Sequence, residues 1–85
     1  MTFNHFYWKI AKIGWRYEWG YYDRFKRSGI IDVKRGVRML TIVFHKLDIR
    51  VLNGWIDENV KTFQKTFKVV KKVTEIMDKQ GSCFV

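Results

Sequence analysis

Glycines at positions 14, 20, 29 and 36 punctuate the first half of the chain and restrict its fold more than any other feature. Each would cost the interior of a helix roughly 1 kcal/mol relative to alanine. The segment that follows favours pleated structure, because nine of the 23 residues from Ile30 to Leu52 are β-branched and such side chains are stiff about their first torsion. Before it, Trp15, Tyr17, Trp19 and Tyr21 alternate with Arg16, Glu18 and Gly20, the period of a strand. One pattern points the other way. Ile30, Val33, Val37, Leu40, Phe44, Leu47 and Val51 recur at steps of three and four, which in isolation reads as a helix.

The glycines, the β-branching and the alternation together predict strands at about 15–23, 30–34 and 37–45. Turns are expected at Lys26-Arg27-Ser28-Gly29 and at Arg35-Gly36, and Leu47, Ile49 and Val51 alternate as a fourth strand ending at Leu52 would. Trp55 to about Lys79 predicts a long C-terminal helix. Ile56, Val60, Phe63, Phe67, Val70 and Met77 form its stripe, widened by Val73 and Ile76. Asp57 and Glu58 would sit in its first turn and Lys71, Lys72 and Lys79 near its end, as the helix dipole prefers. Asn53-Gly54 reads as the turn before it and Gly81 as its stop. Phe6, Ile10 and Ile13 fit a short helix in the first dozen residues. The expected fold is α+β, an antiparallel meander packed on one long helix. The competing architecture is an all-α bundle of three helices broken at Ser28-Gly29 and Asn53-Gly54.

Eighty-five residues make one small domain, expected to span 1–85 with a frayed tail at 81–85. The single cysteine, Cys83, excludes a disulfide scaffold. Zinc would need both histidines, Cys83 and an acid to converge, so no metal and no cofactor is expected. The longest apolar run, Met39–Phe44, is far short of the ~18 residues of a membrane span. The stretch from Met1 to Lys12 mixes Asn4, His5, Lys9 and Lys12 with its apolar residues and does not read as a secretory signal. A cytoplasmic protein without a membrane span is expected. His5 and His45 are the neutral-pH bases available, the serines lie in a turn and a tail, and no phosphate-binding glycine loop is present. The chain therefore reads as non-enzymatic, with no catalytic residues.

Charge is the informative property. Lys+Arg number 17 against 8 Asp+Glu, a net +9. At 100° per residue, Lys61, Lys65, Lys68, Lys72 and Lys79 fall within a sector of ~60° opposite the apolar stripe. An ordinary solvated face mixes signs so that i,i+4 neighbours pair. Here Lys61–Lys65 and Lys68–Lys72 are like-charge pairs. A second group, Arg24, Lys26, Arg27, Lys34, Arg35 and Arg38, lies with Arg16 around the expected turns, where such residues solubilise, guard strand edges or grip phosphate. Ten of the fifteen aromatics fall in the first 25 residues. If Trp15, Tyr17, Trp19 and Tyr21 share one sheet face, that face is either core above Phe63 and Phe67 or an exposed platform on which Trp15, Tyr17 and Trp19 would stack unpaired bases.

The expected function is that of a basic binding protein. It would engage nucleic acid or a nucleoprotein complex through its lysines and arginines, with aromatic support. The alternative is a modulator of the kind that phages and mobile elements carry, docking on an acidic protein surface and blocking a host protein complex. In style of composition the chain resembles such small accessory proteins. Attachment to a membrane surface ranks third, because the apolar stripe of the lysine-rich helix reads as an ordinary core face.

Overall fold

The computed structural model describes residues 1–53 and 56–81. A helix α1 (Phe3–Lys12) precedes five strands, β1 (Arg16–Asp23), β2 (Ser28–Arg35), β3 (Arg38–His45), β4 (Asp48–Leu52) and β5 (Asp57–Val60), and a helix α2 (Phe63–Gly81) follows. The strands form one antiparallel sheet in the order β1-β2-β3-β4-β5. Both helices lie on the same face of it. The fold is α+β, as the glycines and alternation predict, and the three-helix bundle does not form.

The misleading three-four spacing has a simple origin. The covered face takes odd-numbered residues from β2 (Ile31, Val33), even-numbered ones from β3 (Leu40, Ile42, Phe44) and odd-numbered ones from β4 (Ile49, Val51). Two-residue turns between strands shift the phase each time, so Val33, Leu40, Phe44 and Val51 come out at helical intervals. The other members of that series are not core. Ile30 faces the open side of the sheet, while Val37 and Leu47 are exposed in the turns.

β1 departs from the expected alternation. Tyr17 pairs with Val33 but Trp19 pairs with Asp32, so Glu18 is an extra residue in a bulge. A one-residue slip sends every later side chain to the opposite face. Tyr17 thus lies on the helix-covered side, and Trp19 and Tyr21 lie on the open side. Two residues on, Gly20 has φ +126°, and a Cβ there would run into the carbonyl oxygen of Ile30. The Tyr17 hydroxyl donates to the Gly20 carbonyl.

The C-terminal helix begins later than its apolar spacing suggests. Residues 57–60 form β5 instead of a first helical turn. The Arg50 guanidinium grips the Asp57 carboxylate across the two strands at 2.8 and 2.7 Å, and Val60 lies opposite Ile49. Asn53 closes the preceding turn: its Oδ1 accepts from the Ile56 N–H at 2.8 Å and its own N–H donates to the Ile56 carbonyl. The residue that caps α2 is Thr62, whose hydroxyl accepts from the Lys65 N–H at 3.0 Å. Gly54 of the expected turn, Trp55 at the expected helix start, and Ser82 and Cys83 in the expected tail lie outside the described residues. Helix α2 extends to Gly81, the residue read as its stop.

The helices run in the same direction. Phe3 and Phe6 of α1 meet Phe63 at the start of α2, and Lys9 lies over the Phe67 ring at 4.6 Å. Phe3, Phe6, Tyr22, Phe44 and Phe63 make one aromatic cluster, with Phe3 stacked flat on Tyr22 at 4.2 Å. Burial raises the pKa of the Tyr22 phenol, with the charge of Arg27 opposing the shift and that of Asp23 adding to it. Away from the helix starts, Trp15 is fully buried. Its indole N–H donates to Thr74 Oγ1 at 2.8 Å, and Thr74 in turn donates to the Val70 carbonyl. Phe63 and Phe67 therefore do not pack beneath a row of four β1 aromatics. Gly14, at φ +103°, ends α1 so that the chain can turn into β1.

Candidate nucleic-acid interface

Two ends of the sheet divide the central basic group. Arg24, Lys26 and Arg27 occupy the β1–β2 turn, at the end where both helices start. Lys34, Arg35 and Arg38 flank the β2–β3 turn at the opposite end. An eight-residue strand separates them by about 23 Å. The group that is continuous in sequence is not one surface.

At the far end the cations have other duties. The Arg35 side chain donates from Nε to the Ile13 carbonyl at 2.9 Å and from Nη2 to Asp78 at 2.8 Å. It ties the end of α1 and the last turns of α2 to the sheet. Arg38 is half-buried opposite it. Arg16 and Lys34 face each other across the strands on the open side, beside Glu18.

The near end is different. A cleft of about 610 Å³ opens between the β1–β2 turn, the β3–β4 turn and the first turns of both helices. Arg24, Arg27, Lys46 and Lys61 line it above the ring surfaces of Phe3, Tyr22 and Phe63. Among the described residues, Arg24, Arg27 and Lys46 make no ion pair. Lys61 shares its charge with Asp48 at 3.1 Å. Asp23, the other carboxylate nearby, spends its Oδ1 accepting from the Phe25 and Lys26 N–H groups of the turn.

Two of these cations sit where the backbone would choose another residue. Arg27 has φ +53° and Lys46 has φ +55°, a region in which glycine and asparagine are at ease and other residues are uncommon. The Lys46 N–H donates to the Arg27 carbonyl at 2.7 Å, so the two turns hold each other. Turn chemistry alone does not call for arginine and lysine there. On the other side of the same turns, Phe25 and Leu47 are exposed next to Lys26, Arg27 and Lys46.

The lysine row continues from this end. Lys61 lies just before α2, outside the helix in which its spacing places it. Lys65, Lys68, Lys72 and Lys79 are all exposed along the outer side of α2. From Lys65 to Lys79 is about 21 Å. Glu75 borders the row, and Lys71 and, on α1, Lys9 and Lys12 add to the positive charge of the helical layer. The turn arginines and the lysine row, read from the sequence as two surfaces, meet at Lys61.

The aromatic support expected from β1 divides three ways. Trp15 is core. Tyr17 is partly exposed beside Tyr7 on the helix side. Trp19 and Tyr21 are 59% and 64% exposed on the open face, together with Met39. There Arg16, Lys34 and Arg50 share the surface with Glu18, Asp32 and Asp57, and Thr41 donates to Asp32 at 2.6 Å. Trp19 thus lies on a nearly charge-balanced surface, away from the lysine row. The exposed rings that do share a surface with cations free of ion pairs among the described residues are Phe25 at the turn and Trp8 on α1, one helical turn before Lys12; Phe25, Lys46 and Leu47 are not among the binding residues expected from sequence. Their signal was present as apolar residues inside basic turns, Arg24-Phe25-Lys26-Arg27 and Lys46-Leu47.

Among the described residues no group of three His, Cys, Asp or Glu side chains is placed to hold a metal ion, and no helix is long and apolar enough to cross a membrane. Comparison with protein-family models, with curated proteins and with solved structures found no match for this chain.

Proposed function

We propose that this protein binds nucleic acid through its phosphate backbone, without catalysis. The observation that carries this reading is the run of cations from Arg24, Arg27 and Lys46, which make no ion pair among the described residues, past Lys61, which pairs with Asp48, to the α2 row. The lysines of α2 extend about 21 Å along the helix, interrupted by Glu75 between Lys72 and Lys79, a length over which several phosphates of one strand come within reach. Contacts of this kind position a ligand and carry little sequence information. Phe25, exposed beside the turn cations, is suited to stack on an unpaired base. Binding would weaken steeply with salt, because each neutralised phosphate releases counterion. The test is fluorescence anisotropy with single- and double-stranded oligonucleotides between 50 and 200 mM salt, on an order-of-magnitude scale of salt dependence set by the number of phosphates contacted. Affinity that does not change over this range rejects the reading.

A second reading rests on a different observation, the open sheet face. Trp19, Tyr21 and Met39 are exposed together on a surface of balanced charge, the composition of a protein contact more than of a phosphate contact. It keeps the alternative of a modulator that blocks a host protein complex. Trp19→Ala separates the two, since it should abolish a protein contact centred on this face and leave oligonucleotide affinity intact.

A further inference from the structure

We infer that the cleft between the helix starts binds a terminal phosphate monoester of a nucleic-acid strand, which gives the lysine row a fixed starting point. The inference rests on the nucleic-acid reading and adds an end preference to it. Three features of the cleft support it. Its volume of about 610 Å³ lies in the range of small-ligand sites, roughly 300–1,000 Å³. Its floor is preformed, because the Phe3 and Tyr22 rings are stacked on each other and wedged against Phe44 and Phe63. Its cations come from three separate segments, and the backbone hydrogen bond between Arg27 and Lys46 fixes two of them relative to each other before any ligand arrives.

The charge on the ligand follows from the charge on the cleft. Arg24, Arg27 and Lys46 converge on one cavity and none is neutralised among the described residues. A mid-strand phosphodiester brings one negative charge to such a site. A phosphate monoester brings close to two at pH 7 and presents three acceptor oxygens. Arginine suits that group, since its fork donates two parallel hydrogen bonds. The aromatic floor would take the sugar or base next to the phosphate. From there the strand would pass Lys61 onto Lys65, Lys68 and Lys72. The left-handed backbone at Arg27 and Lys46 fits the same account, since the side chains there serve the cleft at the expense of the turn.

The experiment compares one oligonucleotide carrying a 5′-phosphate, a 3′-phosphate or hydroxyls at both ends, with the free mononucleotide as a further ligand. Wild-type protein should bind one of the phosphorylated forms about tenfold more tightly than the hydroxyl form, roughly 1.4 kcal/mol by the usual conversion. Arg27→Asn and Lys46→Asn should bring that ratio to within about twofold while melting at or above the wild-type temperature, because asparagine tolerates the left-handed backbone. Lys65→Gln/Lys68→Gln/Lys72→Gln should weaken all three oligonucleotides and keep the ratio. Equal wild-type affinity for all three, or a ratio that survives in both asparagine variants, overturns the inference and leaves the nucleic-acid reading standing. Tight binding of the mononucleotide with no preference between oligonucleotide ends assigns the cleft to a free nucleotide and likewise overturns it. Failure of every oligonucleotide to bind at low salt removes the nucleic-acid reading and the inference together.

Discussion

Trp15 and Trp19 lie in the same alternating run, yet one is sealed between sheet and helices while the other is 59% exposed on the opposite face. The two faces of the sheet differ in charge as much as in burial. The helical side carries the lysine row and leads to the cationic cleft. The open side sets Arg16, Lys34 and Arg50 among Glu18, Asp32 and Asp57. The sheet separates two of the β1 rings, Trp19 and Tyr21, from the lysine row, while Phe25 at the turn and Trp8 on α1 are exposed on the cationic side.

The largest expected effect tests whether the faces differ energetically. Trp15→Ala should destabilise the fold by about 3–5 kcal/mol, the usual cost of emptying an aromatic core site, and it would also leave Thr74 without its indole donor. Trp19→Ala should stay within about 1 kcal/mol, since surface substitutions of this kind cost little. Urea denaturation measures both, and equal losses would break the distinction. Next in size is charge reversal. Lys65→Glu/Lys68→Glu/Lys72→Glu should lower oligonucleotide affinity about 100-fold at low salt and flatten the logarithmic salt slope by about 3 on duplex DNA. The matched reversal Arg16→Glu/Lys34→Glu on the open face should change affinity several-fold at most. Similar losses from the two variants would mean that no single face carries the contact.

Smaller effects sharpen the picture. Tyr21→Ser combined with Trp19→Ser should leave oligonucleotide affinity within about twofold, because neither ring shares a surface with the lysine row. A loss near the ~1–3 kcal/mol of a stacked base would move the site to the open face. The smallest effect concerns acid. The hydrogen bond from Arg50 holds the Asp57 carboxyl below its ordinary value. A depressed carboxyl pKa stabilises the fold at pH above the unfolded value, and that contribution disappears as pH falls through the folded value. The pair is solvent-exposed, so the contribution is small. Thermal melts from pH 7 to pH 3 should show a slightly shallower decline for Asp57→Asn than for wild type. Identical profiles would mean that the pair contributes nothing to anchoring β5.

Much of this was legible in the residues themselves. Alternation, glycines and β-branching carry the α+β assignment, and Phe6 and Ile10 carry the short first helix. Three things were hidden for physical reasons. The bulge at Glu18 leaves no mark in composition, so four alternating aromatics read as one face. Ile56 and Val60 are spaced for a helix, and only the cross-strand grip of Arg50 on Asp57 reveals a strand. The cleft was hidden because its cations come from residues 24–27, 46 and 61, which only the meander's turns bring together. Conversely, Lys34, Arg35 and Arg38 follow Arg24–Arg27 closely in sequence but lie a strand's length away, and Arg35 serves the core's edge.

The bulge has one more consequence. What the open face displays is decided by the number of residues in β1 as well as by their kind. Two chains that differed only by the presence of Glu18 would share every aromatic and every basic residue, yet turn different side chains to the solvent. Any comparison of β1 with another sequence must therefore settle a gap before it can assign a surface.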